Sequence, residues 1–296
     1  MEQRGPQRMD TVAGGAAPPD PFAWEEVAAL DRAAEVVRTP CGSGEMVWRL
    51  WGAGPPLVFL HGGHGTWLHW ARNIGPLAER FRVVAPDLPG FGDSAPAFPD
   101  EIGAQAAPVA EGLGALGLDG RLTLAGFSYG CLLAGHLLAP LGARVAQVIL
   151  VGSAGLGRFN RDRPPLRRWR KEPDPAARVA LHRENLGIMM LHDPERIDAL
   201  AVALQSYNTE RSRVPHRGAV ESANLRACLE AARPRLAALW GREDALVSDF
   251  LDERVALVRA IDPTAPVVLL DGVGHWAQYE APGAVNAFLA EAALRP

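Results

Sequence analysis

The stretch Gly126-Phe127-Ser128-Tyr129-Gly130 places a serine between two glycines, directly after the apolar run Leu122-Thr123-Leu124-Ala125. A glycine two before and two after gives the backbone room for a sharp strand-to-helix elbow, on which a serine hydroxyl stands clear as a nucleophile. A plain tight turn is the alternative reading. A hydroxyl near neutral pH is a poor nucleophile; it needs a base, an acid to orient the base, and donors for the oxyanion. Candidates for all three follow other strand-like runs. His275, in DGVGHWAQYEAP, is the base candidate, because it follows the last strand and a glycine-bearing turn. Asp244, in LWGREDALV, is the acid candidate, and its position just past a strand end favours it over Glu243 and Asp249. LHGG at 60–63 supplies the oxyanion loop, with the N–H of Gly63 paired to that of Tyr129 and Gly62 beside them. The order Ser, Asp, His along the chain fits one known arrangement of such a triad.

These residues need a frame. Of 296 residues, 48% are apolar, ample for one large core. Strands are expected at Met46–Trp51, Leu57–Leu60, Arg82–Pro86, Leu122–Phe127, Val145–Val151, Arg235–Trp240 and Val267–Leu270. Several are apolar throughout, as in a parallel sheet covered on both faces. Helices are expected at Thr66–Arg80, Ile102–Leu116, Ser128–Leu141, Asp249–Ile261 and Ala281–Leu294. The alternation predicts an α/β sheet with a core over 23–156 and 234–296. It lapses over 157–233, where helical patterns at Val179–Met190 and Pro194–Gln205 predict an inserted helical cap above the carboxyl edge of the sheet. Residues 1–22, rich in Gly, Ala, Pro and charge, read as a disordered lead-in, and Met9 is an alternative start.

The net charge of −4 gives no reason to expect nucleic acid or an anionic membrane as partner. The segment 158–171, RFNRDRPPLRRWRK, holds seven basic residues and one acid; it reads as a solvated hinge rather than a docking surface. Cys41, Cys131 and Cys228 are scattered, without metal-binding spacing, and fit a reducing cytoplasm. Cys131, one turn after Ser128, reads as buried packing. No apolar run is long enough to span a bilayer, and the N-terminus has no apolar signal region.

LHGG, DLPGFGDS (87–94), GFSYG, WGREDALV and GVGHWAQYEAP together resemble the α/β-hydrolase fold family over residues 57–294. The resemblance implies a mostly parallel eight-stranded sheet, a cap, a Ser128–His275–Asp244 triad and no cofactor or metal. RNIGPLAERFRVVAPDLPGFGDS (72–94) and GHWAQ (274–278) are similar to the meta-cleavage-product hydrolases, which cleave a carbon–carbon bond in vinylogous diketones. This chain departs from that branch where asparagines are usual, with Phe127 and His69, and where a cap arginine is usual, with Gln205. It also carries HGGHGT (61–66) where HGGGPG is common. Arg183, Arg211 and Arg213 are candidates to replace the missing carboxylate anchor. Trp67, Trp70, Trp169, Met189, Met190, Phe127 and Trp276 are candidate apolar pocket walls, or ordinary core.

The expected activity is therefore hydrolysis of a small apolar ester, thioester or lactone. Carbon–carbon bond hydrolysis by the same triad is the alternative, and a binding protein on a hydrolase scaffold is a third. The expected partner is a small-molecule substrate, with the protein a monomer or a homodimer.

Overall fold

The computed structural model describes residues 19–96, 101–214 and 224–295. Its centre is one eight-stranded sheet: β1 (Glu35–Cys41), β2 (Gly44–Trp51), β3 (Pro56–Leu60), β4 (Arg82–Pro86), β5 (Leu122–Phe127), β6 (Val145–Val151), β7 (Leu236–Gly241) and β8 (Val267–Leu270). The order is β1-β2-β4-β3-β5-β6-β7-β8. β2 pairs antiparallel with β1 and β4; every pair from β4 to β8 is parallel. The mostly parallel eight-stranded sheet expected from the motifs is thus present. The strand missed in the sequence is β1, an edge strand in which Arg38, Thr39 and Pro40 interrupt any apolar run.

Parallel strands need crossovers, and helices supply them. α1 (Glu25–Ala33), α2 (Ala71–Ala78), α3 (Ile102–Ala115) and α4 (Tyr129–Leu141) precede β6. Side chains alternate across each strand, so Val58, Leu60, Leu122 and Leu124 join one core layer with α3 and α4. Leu57, Phe59, Ala125 and Phe127 join the opposite layer with Ile74 and Leu77 of α2. Both faces are covered, which is why the central strands read as apolar throughout.

Between β6 and β7 lie α5 (Pro175–Asn185), α6 (Ala199–Glu210) and α7 (Asn224–Ala232). Asp174 and Asp198 cap the first two by accepting from Ala176 and Ala201 N–H. α6 is tied to the body through Asp198, which takes Arg72 at 2.8 Å and the Tyr279 hydroxyl at 2.6 Å. α7 packs differently: its Leu225 and Leu229 join the core layer of α4. α8 (Leu251–Ile261), α9 (Ala277–Glu280) and α10 (Pro282–Ala293) complete the chain. Of the expected lead-in, residues 1–18 lie outside the described residues; Asp20 caps a short 3-10 turn at Pro21–Ala23.

Because β3, β5, β6, β7 and β8 are parallel, their carboxyl ends share one edge. The loops carrying Gly62, Ser128, Asp244 and His275 all leave from that edge, where open α/β sheets hold their ligands.

Candidate active site

Ser128 joins β5 to α4 with φ 50° and ψ −108°, a backbone conformation rare outside glycine. Such strain costs on the order of 1–3 kcal/mol and is held in place by its surroundings. Here the Ser128 N–H donates to Val151 O at 3.0 Å, and the Ser128 carbonyl accepts from Cys131 at 3.1 Å. The flanking glycines are required by contact. A Cβ on Gly130 would lie 2.1 Å from Leu60 O, and one on Gly126 would lie 2.6 Å from Cys131 N. Cys131 is fully buried, its Sγ donates to Gly126 O at 2.9 Å, and burial pushes its thiol far above the usual range. It packs the elbow and offers no thiolate.

His275 Nδ1 lies 2.7 Å from Asp244 Oδ2. A carboxylate only accepts, so Nδ1 carries the proton and the neutral ring keeps Nε2 as its basic nitrogen. Asp244 is fully buried, and its other oxygen accepts from Leu246 N–H at 2.9 Å. Its neighbour Glu243 turns elsewhere, accepting from Val273 N–H at 3.0 Å and so bracing the turn that delivers His275. Asp249 is only loosely associated with the Ser248 hydroxyl, at 3.5 Å. The His275 ring lies 5.0 Å from the Phe127 ring, and its Nδ1 would be 3.3 Å from a Cβ on Gly152. Phe127 precedes Ser128, and Gly152 follows the residue that binds the Ser128 amide. The candidate base and the candidate nucleophile are therefore neighbours at the same edge, although no hydrogen bond joins them among the described residues; such bonds commonly tighten when substrate binds.

Glu280 is a participant that sequence reasoning missed. One of its oxygens accepts from Gly274 N–H at 2.7 Å, and the other accepts from His192 and Asp193 N–H at 2.9 and 2.7 Å. It clamps the His275 turn to the segment that follows α5. Its carboxyl is raised by burial, with these amides opposing. Trp276 adds a second tie, donating its N–H to Met190 O and its indole N–H to His69 O.

The candidate oxyanion loop, Gly62–Gly63, is braced by two histidines. Leu88 N–H donates to His61 Nε2 at 2.9 Å, so Nδ1 of the neutral ring carries the proton and donates to Gly62 O at 2.8 Å. Asp87 anchors the DLPGFGDS turn by accepting from Trp67 and Asp93 N–H. The Gly62 N–H donates to His69 Nδ1 at 3.1 Å. Burial first, then nearby His61, His275 and His64, hold His69 well below its ordinary range, so it stays neutral. The Gly62 amide is thereby occupied, whereas the Gly63 N–H has no hydrogen-bond partner among the described residues.

A cavity of about 320 Å³ opens beside this loop, with Gly63, His69, Met190 and Gln205 in its wall. Trp169 and Met189 also line it, while Ser128 and His275 do not. Phe127 and Trp276 are fully buried against His69, at ring distances of 5.2 Å each. Trp70 stacks on Phe59 at 4.4 Å within the core. The cation candidates fall elsewhere. Arg183 donates to Ile197 O, Arg211 stacks on Tyr207 at 3.7 Å, and Arg213 donates to Gly92 O; none lines the cavity. Residues 166–171 of the basic stretch line it instead of serving only as a solvated hinge. That placement is tertiary, and the run of charge alone carried no sign of it.

Among the described residues no helix is long and apolar enough to cross a membrane. The chain matches the alpha/beta hydrolase family over residues 57–288. It is 31% identical over 256 residues to a 2-hydroxy-6-oxo-6-phenylhexa-2,4-dienoate hydrolase of Burkholderia cepacia, covering 79% of this chain and 86% of that protein. A crystal structure of an esterase from Rhodococcus sp. ECU1013 superposes with a TM-score of 0.68 at 25% identity, covering 86% of this chain and 98% of that one. The structure of a 2-hydroxy-6-oxo-6-phenylhexa-2,4-dienoate hydrolase from Rhodococcus sp. strain RHA1 gives 0.63 at 27% identity, covering 88% and 99%. The chain is an α/β-fold hydrolase and belongs to the alpha/beta hydrolase family.

Proposed function

We propose that this hydrolase cleaves a small, largely apolar carboxylic ester, thioester or lactone through an acyl-enzyme on Ser128. The observation that carries the reading is the buried Asp244–His275 pair at 2.7 Å beside a serine on a strained elbow. His275 Nε2 takes the Ser128 proton as Oγ attacks the carbonyl carbon. Asp244 stabilises the imidazolium that forms. The N–H groups of Gly63 and Tyr129 donate to the oxyanion. The imidazolium then protonates the leaving alcohol or thiol, and water, deprotonated by His275, releases the acid. Of the segment expected as a cap, α5, α6 and the stretch before them act as a cap over this site, while α7 packs with the core.

The relatives named as 2-hydroxy-6-oxo-6-phenylhexa-2,4-dienoate hydrolases support a second reading, carbon–carbon bond hydrolysis of a diketone by the same residues. Against it stand Phe127, His69 and Gln205, where that branch usually carries polar or cationic anchors. His69 donates no charge, being neutral, and Phe127 is apolar. Turnover of p-nitrophenyl esters of graded length, set beside loss of the visible absorbance of a meta-cleavage dienoate, separates the two. Ester turnover exceeding dienoate turnover is the expected result; the reverse overturns the first reading.

A further inference from the structure

The cavity wall carries an excess of positive charge that the proposed chemistry does not use. Arg167, Arg168, Arg170 and Lys171 line it, and among its described lining residues none is acidic. The concentration runs against the chain as a whole, whose net charge is −4 and whose only lysine is Lys171. Little of this charge is neutralised locally. Arg167 pairs with Glu184 at 2.8 Å. Among the described residues Arg170 has only the Thr209 carbonyl at 2.7 Å and the Trp169 ring at 4.5 Å. The side chains of Arg168 and Lys171 have no hydrogen-bond or ion-pair partner among the described residues.

The segment is also fixed in place. Arg167 N–H donates to Asn185 Oδ1 at 2.7 Å, and Asn185 Nδ2 donates back to Arg167 O at 3.1 Å. Trp169 packs on the buried His182 ring at 4.6 Å. The cations are thus held against an apolar wall of Leu166, Trp169, Met189 and Met190. They are exposed, so an anion meeting them stays hydrated at the mouth.

We infer that the substrate has an apolar body ending in an anionic group, and that Arg168, Arg170 and Lys171 select for that group. This inference rests on the hydrolase reading above and narrows its substrate class. The anion is a terminal carboxylate on the acyl chain, or a phosphate on the leaving group. Both meet exposed guanidinium and ammonium groups in the same way.

The test is a ratio of kcat/KM values, anionic over neutral, for substrates of matched length. One arm compares the mono-p-nitrophenyl ester of suberic acid with its methyl-capped diester. The other compares octanoyl-coenzyme A with octanoyl-N-acetylcysteamine. In one arm the ratio exceeds one by about tenfold at low salt, and it falls toward one at 0.5 M salt because exposed charges are screened. The Arg168→Gln/Lys171→Gln double variant removes most of that preference, whereas Arg226→Gln, remote on α7, keeps it. A second measurement is independent of turnover: the unreactive amide analogue of the suberic half-ester and coenzyme A itself are titrated into Ser128→Ala. The favoured anion binds about tenfold more weakly once Arg168 and Lys171 are also replaced. Ratios near one in both arms, or a ratio and an affinity unmoved in the double variant, overturn the inference. Neutral-ester turnover that survives in Ser128→Ala instead overturns the hydrolase mechanism beneath it.

Discussion

Replacing Gly130 by alanine tests whether the elbow is built by close contact. Gly130 occupies the first turn of α4, where helix propensity alone predicts that alanine stabilises by about 1 kcal/mol. The contacts predict the opposite. The new Cβ would sit 2.1 Å from Leu60 O, 2.6 Å from Leu60 C and 2.8 Å from His61 O. These distances are roughly 1 Å inside normal van der Waals separation, and all three atoms are backbone at the end of a buried central strand. Overpacking of this kind costs about 3 kcal/mol, so the net loss is about 2 kcal/mol. A chain of this size then melts about 3 °C lower. Gly114, in the solvent-facing part of α3, is the internal control: its Cβ would meet nothing within 4 Å. Gly114→Ala is expected to raise the melting temperature by about 2 °C, the full propensity gain. Thermal unfolding followed by circular dichroism reads both. Turnover adds a second reading, since relief of the clash must shift the elbow, and a displacement of about 1 Å at a reacting group costs about 100-fold. A Gly130→Ala protein that melts at or above the wild type with full activity would refute the contact argument.

Asp244→Asn is expected to lower kcat by about 10³-fold or more, because it disturbs the imidazole tautomer, while Glu243→Gln lowers it less than tenfold. Steady-state kinetics decide, and the opposite order would move the orienting acid to Glu243. His69→Leu leaves the Gly62 N–H without its acceptor. It is expected to cost about 1–3 kcal/mol of stability and to reduce kcat, with His69→Gln recovering part of both; a Leu variant matching wild type would remove His69 from the oxyanion loop's support. His182 is fully buried, neither ring nitrogen has a hydrogen-bond partner among the described residues, and burial, with Arg178 and Arg170 adding, lowers it from 6.5 to about 4. The unfolded chain therefore takes up this proton first as pH falls. Stability from this group is complete above pH 6.5 and is lost on descending to pH 4, by an amount on the order of 3 kcal/mol. His182→Phe is expected to flatten urea-unfolding stability across that window, and an unchanged slope would contradict the assignment.

Where the physics is local, the sequence was readable. β4, β5, β6 and β8 coincide with their expected bounds, because each is a short apolar run ended by a turn or a helix signal. GFSYG announced the elbow because two glycines are forced by backbone contacts. β1 was missed because an edge strand with Arg38, Thr39 and Pro40 lacks an apolar run. The helix expected over Thr66–Arg80 is in fact a 3-10 turn at Trp67–Trp70, capped by Thr66, followed by α2. Val179–Met190 begins earlier, at Pro175 behind the Asp174 cap, and ends in a π turn at Leu186–Met190. The cavity wall was not legible. Arg183 and Arg211 looked like anchors on helical patterns, but the fold sends them to Ile197 O and the Tyr207 ring. Glu280 was equally silent, because its role depends on one nearby amide, Gly274, and two from the distant turn at His192 and Asp193. Local periodicity cannot encode such meetings.

The central claim, that Ser128 is the nucleophile activated by His275, is tested most directly by covalent capture. The purified protein is incubated with a fluorophosphonate, and intact mass and peptide mapping locate the adduct. The account predicts one adduct, on Ser128, absent in Ser128→Ala and formed at least 100-fold more slowly in His275→Ala. A protein that hydrolyses esters yet carries the adduct on another residue, or labels Ser128 as fast without His275, would contradict it.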